Sequence, residues 1–165
     1  MRGYTTSQMK DILTLADNYA KNNTTCKKTA VGCYIVNEDP RWRTVLAKGA
    51  NCGVISCKES GCLREKIHGS NSKEYRGSCR CTHRERDALL RIPKDKQHLV
   101  EGSTAFVTRY PCDPCTSALA SAGIKRIVYG RAFEMSDFAK AVCEKEGIEI
   151  IHIADWNCDE NDTNN

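Results

Sequence analysis

Two short motifs constrain the fold more than any other feature of this 165-residue chain. The first reads His-x-Glu, with His83 and Glu85, and the second reads Pro-Cys-x-x-Cys, with Cys112 and Cys115; 28 residues separate His83 from Cys112. Zinc prefers thiolate and imidazole ligands in a tetrahedral arrangement, and a catalytic zinc keeps three protein ligands and one open position. The motifs therefore predict that the starts of two helices meet at a zinc ion held by His83, Cys112 and Cys115.

Glu85 would give such a zinc a chemical use, because it lies two residues beyond His83 and can reach a water on the metal without binding the ion itself. Each motif alone is weak evidence. Cys-x-x-Cys is also typical of a redox pair, and the same residues could be ordinary buried thiols and a surface histidine. Together they match the His-x-Glu and Pro-Cys-x-x-Cys signature of zinc nucleobase deaminases, in which the glutamate is the general acid and base.

The composition, with 40% hydrophobic and 28% charged residues, is that of a soluble globular protein. No apolar run approaches the roughly 18–20 residues that span a bilayer, and the first residues carry no secretory signal, so we expect a cytoplasmic protein without membrane contact. The length and the lack of a linker predict a single domain over residues 1–155 and a polar tail at 156–165. In a reducing compartment the eleven cysteines are more typical of metal or redox sites than of disulfides.

Alternating helical and strand patterns predict an α/β fold. An amphipathic helix begins at a predicted N-cap, Ser7, and a hairpin of strands 30–37 and 43–51 follows it. After a polar loop at 52–79, the patterns predict helices from Thr82, over 112–122 and over 136–146, and strands at 104–110, 124–130 and 148–153. We therefore expect a three-layer αβα arrangement with a central mixed sheet of five strands.

Residues 8–153 resemble the cytidine and deoxycytidylate deaminase superfamily, most closely the deoxycytidylate (dCMP) deaminases. Beyond the zinc motifs, the likeness rests on CKKTAVGCYIV (26–36), GAN (49–51), GCLRE (61–65), CRCTHRE (79–85) and AGIKRIVYG (122–130). A cysteine-bearing insert at about 52–81 distinguishes the dCMP enzymes from the shorter cytidine and tRNA-adenosine deaminases. The resemblance implies the cytidine-deaminase-like fold and the hydrolysis of dCMP to dUMP and ammonia.

In the implied reaction, a zinc-activated water attacks C4 of cytosine while Glu85 moves its proton to ring N3 and then protonates the departing amine. The resemblance further implies that Asn51 binds the sugar 3′-hydroxyl and that the backbone N–H of Arg84 meets the base O2. Three residues depart from the usual family pattern, namely Arg84 for alanine, Asp87 for asparagine and Ala50 for tyrosine. We expect the Arg84 side chain either to point away from the site or to reach the substrate phosphate or another subunit.

The insert cysteines suggest a second, structural zinc, which some family members carry. Our candidate ligands are Cys26, Cys57, Cys62 and Cys79, with Cys52 or Cys81 in place of one of them. A closed four-thiolate site would explain how a long polar loop stays ordered without a core of its own. Separate reduced thiols are the alternative.

The substrate phosphate must meet cations or helix N-terminal amides. By charge and neighbourhood the candidates are Arg76 and Arg80, and also Arg64 and Lys48. Each of them could equally be an ordinary surface residue.

Two other functions stay open. The chain could deaminate another cytosine nucleotide or nucleoside, or a base in a polynucleotide, but aromatic residues for stacking bases make up only 7% of it, so we expect no nucleic-acid partner. It could also be a non-catalytic, zinc-stabilised nucleotide-binding module, against which the retained Glu85 argues. The resemblance implies a homo-oligomer, a dimer or a hexamer, and dCTP and dTTP are common effectors in the family.

Overall fold

The structure, a computed structural model, describes residues 3–39, 41–70, 79–131 and 136–156. Its elements are, in chain order, α1 (Thr6–Asn23), β1 (Gly32–Val36), β2 (Val45–Ala50), α2 (Cys57–Ser60), α3 (Leu63–His68), α4 (Arg84–Leu90), a 3-10 helix (Lys94–Leu99), β3 (Thr104–Arg109), α5 (Asp113–Ser121), β4 (Arg126–Arg131), α6 (Asp137–Lys145) and β5 (Glu149–His152).

The five strands form one mixed sheet in the order β2-β1-β3-β4-β5. Strand β1 is antiparallel to both β2 and β3, whereas β3, β4 and β5 run parallel. Helix α1 packs on one face through Leu13, with Phe106 of the sheet beside it, and α4, α5 and α6 pack on the other through Ala88, Leu119 and Cys143. The predicted three-layer arrangement around a mixed five-stranded sheet is confirmed.

The start of α1 differs from the prediction. Thr5, not Ser7, is the N-cap, and it forms a capping box in which its side chain accepts from the Gln8 N–H and the Gln8 side chain accepts from the Thr5 N–H. Ser7 lies inside the first turn, so the N-cap prediction was wrong. The Thr-x-x-Gln pattern carries this signal in the sequence.

Two glycines let helices approach the sheet closely. A Cβ atom at Gly32 in β1 would lie 2.1 Å from the carbonyl oxygen of Ala16 in α1, and one at Gly49 in β2 would lie 2.1 Å from the carbonyl oxygen of Arg84 in α4. No side chain fits either gap, because real Cβ contacts are far longer. Gly49 therefore fixes the depth at which the first turn of α4 lies against the sheet.

The insert after β2, predicted as a loop, contains the two short helices α2 and α3. It is attached to the loop that follows α1. The Thr25 carbonyl accepts a hydrogen bond from the Cys57 N–H at 2.9 Å, and Glu65 pairs with Lys27 and Lys28 at 2.8 Å each. Hydrogen bonding to these two lysines lowers the pKa of Glu65 to about 2.

The folded part of the chain includes Trp156, the first residue of the predicted polar tail. Trp156 is buried beside α1, and its indole N–H donates to Thr14 Oγ1 at 3.1 Å. The rest of the tail, 157–165, lies outside the described residues, and the single domain over 1–155 stays a prediction. No helix in the described ranges is both long and apolar enough to cross a membrane.

Candidate zinc site

Three side chains predicted to bind zinc meet where β3 ends. His83 is the N-cap of α4, and Cys112 is the N-cap of α5, which begins after three residues that follow β3. The Cys112 and Cys115 sulfurs lie 3.4 and 3.5 Å from His83 Nδ1. Among the described residues this is the only group of three or more potential ligands whose donor atoms all lie within 4.8 Å of one another.

These distances fit a bound zinc ion. Zinc–sulfur and zinc–nitrogen bonds of about 2.3 and 2.0 Å at a tetrahedral angle place nitrogen and sulfur about 3.5 Å apart. One imidazole and two thiolates also leave the fourth position for water, as a catalytic zinc requires. The donor set and its spacing therefore suit zinc without movement of the backbone.

The two thiols differ in their tendency to ionise. Hydrogen bonding from Cys115, with a further contribution from His83, holds the pKa of the Cys112 thiol well below its usual range. The same hydrogen bond, together with burial and the nearby Glu85 carboxylate, raises the pKa of Cys115. Cys112 also caps α5, whose first N–H groups have no acceptor within the helix and favour a thiolate. The cluster is thus prepared to attract a cation.

Glu85 lies beside this cluster and is completely buried. Neither of its carboxylate oxygens has a hydrogen-bond partner among the described residues. A buried carboxylate whose oxygens accept no hydrogen bond is costly unless a cation or a further donor meets it. A water held at the fourth zinc position would meet it, and Glu85 would then be placed to accept its proton.

The Arg84 side chain takes neither of the two courses expected from the sequence, because it turns inward. It is 8% exposed, and its Nε lies 2.8 Å from Glu85 Oε1. Its Nη2 donates to the backbone carbonyls of Arg109 and Tyr110 at 3.1 and 2.9 Å. Arg84 therefore contacts both the buried carboxylate and the segment that leads into Cys112.

Asn51 lies at the end of β2 with its side chain engaged by the chain itself. Its Oδ1 accepts from the Val31 N–H at 2.9 Å and from Thr24 Oγ1 at 3.0 Å, and its Nδ2 donates to the Thr29 carbonyl at 2.7 Å. One amide N–H of Asn51 is left for a ligand.

Asp87, which replaces the usual asparagine with a charged residue, holds the same end of β2. Its Oδ2 accepts from the Ala50 N–H at 3.1 Å, and Arg91 Nε lies 2.9 Å from the same oxygen. The added charge is thus compensated by Arg91.

Two of the phosphate candidates, Arg80 and Lys48, lie in different parts of the described fold. Arg80 belongs to the insert, where its Nη2 donates to Ser60 Oγ at 2.6 Å. Lys48 lies over the rings of Tyr19 and Tyr34, on the α1 face of the sheet, whereas the adjacent Gly49 contacts α4. The phosphate role suggested for Lys48 therefore finds no support in its position and stays a prediction. Arg76 lies outside the described residues.

The insert cysteines come together only in part. The sulfurs of Cys57 and Cys81 lie 3.5 Å apart and both residues are buried. Burial and the hydrogen bond with Cys57 raise the pKa of Cys81. The charges of Cys79 and Cys26 also contribute to this rise. Cys52 faces α4 instead, with its sulfur 3.8 Å from Arg91 Nη2. Of the two alternative cysteines, Cys81 contacts another candidate ligand, whereas Cys52 contacts Arg91.

The chain is similar to several known proteins. The family described as the cytidine and deoxycytidylate deaminase zinc-binding region matches residues 6–131. A deoxycytidylate deaminase from Mycobacterium phage D29 is 36% identical over 115 residues, which are 67% of this chain and 84% of that protein. A deoxycytidylate deaminase from Schizosaccharomyces pombe is 28% identical over 134 residues, 79% of this chain but only 39% of the yeast protein.

Among solved structures, the dCMP deaminase of cyanophage S-TIM5, in complex with dCMP and dUMP, superimposes with a TM-score of 0.61 and 21% identity, covering 92% of this chain and 100% of that one. This likeness confirms the predicted cytidine-deaminase-like fold. Together with the match over residues 6–131, it leads to one conclusion: the chain belongs to the cytidine and deoxycytidylate deaminase family.

Proposed function

We propose that this protein hydrolyses dCMP to dUMP and ammonia with the help of zinc. The observation that carries the proposal is the meeting of His83, Cys112 and Cys115 beside a fully buried Glu85 whose oxygens have no hydrogen-bond partner among the described residues. The relatives in yeast and in phage D29 are named deoxycytidylate deaminases, and the cyanophage structure holds dCMP and dUMP. These names support a mononucleotide as the substrate.

The chain's own residues account for the proton transfers. When bound, zinc would act as a Lewis acid that lowers the pKa of a water to about 7. Glu85 accepts a proton from the attacking water and delivers it to ring N3 as the new C4–O bond forms. It then carries the second water proton to the amine as the C4–N bond breaks, so that one water is consumed and ammonia leaves.

Substrate recognition belongs to the same proposal. The Arg84 N–H is at the first position of α4 and has no acceptor within the helix, so it is available to the base O2. The remaining amide N–H of Asn51 would donate to the sugar 3′-hydroxyl. For the phosphate we propose Arg80 and Arg76, on the basis of charge and position in the sequence.

A second, structural zinc in the insert is also proposed, with Cys26, Cys57, Cys62 and Cys79 as candidate ligands and Cys81 as the replacement for one of them. The contact between Cys57 and Cys81 supports it. Assembly as a homo-oligomer, control by dCTP or dTTP and a cytoplasmic location stay predictions from the sequence.

Loss of ultraviolet absorbance on mixing the protein with dCMP, deoxycytidine, dCTP or single-stranded DNA tests the substrate. We expect turnover of dCMP well above that of the other three. Glu85→Gln should keep its zinc and lose about 10²- to 10⁴-fold in kcat, the range typical of a missing general acid and base. Preferred turnover of another substrate, or an active Glu85→Gln variant, would contradict the proposal.

A further inference from the structure

Arg84 stands where the family usually has alanine, and its guanidinium is buried between two parts of the zinc site. Its Nε lies 2.8 Å from Glu85 Oε1, and its Nη2 donates to two successive carbonyls, those of Arg109 and Tyr110. Burying such a group is costly unless its charge and its N–H donors are satisfied. These contacts compensate its charge and give Nη2 two acceptors, and they all lie at the site.

The contact with Glu85 is one of charge rather than a directed hydrogen bond. Neither Arg84 Nε nor either oxygen of Glu85 has a hydrogen-bond partner among the described residues, although the two groups are 2.8 Å apart. The cation therefore stabilises the buried carboxylate through Oε1 and leaves Oε2 for protons in transit. A proton carrier needs this combination of a fixed position and a free oxygen.

The two carbonyl contacts reach the metal ligands. Arg109 is the last residue of β3, and Tyr110 is separated from Cys112 by Pro111 alone. The planar guanidinium can hold several partners in one fixed geometry, which a lysine ammonium cannot. One side chain thus links the start of α4, with His83 and Glu85, to the segment that carries Cys112.

We propose that Arg84 is a positioning residue that holds the Glu85 carboxylate in register with the cysteine ligands by joining α4 to the segment 109–112. The proposal rests on the deaminase function for its kinetic consequences, whereas its structural consequences can be measured without any reaction.

The experiment compares two variants. Arg84→Met keeps an apolar side chain of similar length and removes the charge, whereas Arg84→Lys keeps the charge and removes the planar array of guanidinium N–H donors. Arg86→Met, an exposed arginine on the same helix, is the matched control. In Arg84→Met we expect kcat for dCMP to fall about 10- to 100-fold, as for a misplaced catalytic group, with little change in KM. The kcat of Arg84→Lys should lie between those of Arg84→Met and the wild type, and the kcat of Arg86→Met should match that of the wild type.

Amide hydrogen exchange over residues 109–116 provides the readout that needs no activity. We expect faster exchange there in Arg84→Met, partial protection in Arg84→Lys, and wild-type protection in Glu85→Gln, which removes the carboxylate charge but not the carbonyl contacts. If the wild type failed to turn over dCMP, the proposed function would be wrong. Hydrogen exchange would still test whether Arg84 links α4 to the segment 109–112. The proposal would be overturned if Arg84→Met exchanged at the wild-type rate. It would also be overturned if Arg84→Lys matched the wild type in both exchange and kcat, and this second test remains decisive even if Arg84→Met does not fold.

Discussion

Asp87 joins α4 to the end of β2 through a single oxygen, Oδ2, which accepts from the Ala50 N–H. Ala50 directly precedes Asn51, the proposed sugar ligand. In Asp87→Ala the buried Ala50 N–H loses its acceptor, which costs about 1–3 kcal/mol. We expect the free energy of unfolding to fall by about that amount, and KM for dCMP to rise more than kcat falls. Urea unfolding and steady-state kinetics measure the two effects.

Asp87→Asn is the matched control, because it restores the residue usual in the family and keeps an oxygen that can accept from Ala50. It should retain the wild-type KM and most of the stability. An Asp87→Ala variant with an unchanged KM would show that the end of β2 does not depend on Asp87.

The meeting of His83, Cys112 and Cys115 could be predicted because these residue types at this spacing are typical of zinc sites. The inward course of Arg84 could not. Successive residues on a helix do not face each other, so the adjacent Arg84 and Glu85 gave no sign of a contact. The carbonyls that hold Arg84 lie 25 and 26 residues further along the chain, and nothing in the local pattern relates them to it.

Elements were predictable in proportion to their length and to the strength of their pattern. The five strands and the four helices that pack on the sheet show apolar periodicity. This periodicity can be recognised in each segment without knowledge of the rest of the chain. Helices α2 and α3 have four and six residues, too few to be stable alone, so they depend on tertiary contacts such as the pairing of Glu65 with Lys27 and Lys28. The periodicity of apolar residues does not predict such contacts.

Helix α4 lies so close to β2 at Gly49 that a larger residue at this position should displace the whole helix. In Gly49→Ala the new Cβ would overlap the Arg84 carbonyl oxygen and the Ala88 backbone nitrogen, so α4 must move outward and take His83 with it. We expect a loss of at least about 1–3 kcal/mol in the free energy of unfolding, as for overpacked cores, together with weaker zinc binding. Urea unfolding and competition with a zinc chelator measure these.

Gly53→Ala is the matched control, because a Cβ there would meet its nearest neighbour at 3.4 Å, an ordinary contact. Both variants add one methyl group near the end of β2, but only Gly49→Ala should loosen zinc. Equal zinc affinity in the two variants would mean that the position of α4 does not control the site.

At the scale of the whole molecule, two zinc ions would hold different parts of the chain. An ion at His83, Cys112 and Cys115 would join α4 to α5, whereas a second ion at the insert would fix α2 and α3, which have little core of their own. Structural zinc supplies folding energy directly, because the ligands meet only in the folded state. Loss of either ion should therefore loosen the part of the molecule that it holds and leave the other part intact.

Elemental analysis of the purified protein and its cysteine variants tests this division. We expect two zinc equivalents in the wild type and one in Cys57→Ser, which should also be cleaved faster by protease within the insert while it retains dCMP turnover. Cys112→Ser should likewise keep one equivalent but lose turnover, because it removes a ligand of the catalytic ion. Cys52→Ser should keep both, since the Cys52 sulfur contacts Arg91 rather than the insert cysteines. One equivalent in the wild type, or an unchanged count in Cys57→Ser, would instead mean that protein contacts alone, such as those of Thr25 and Glu65, hold the insert.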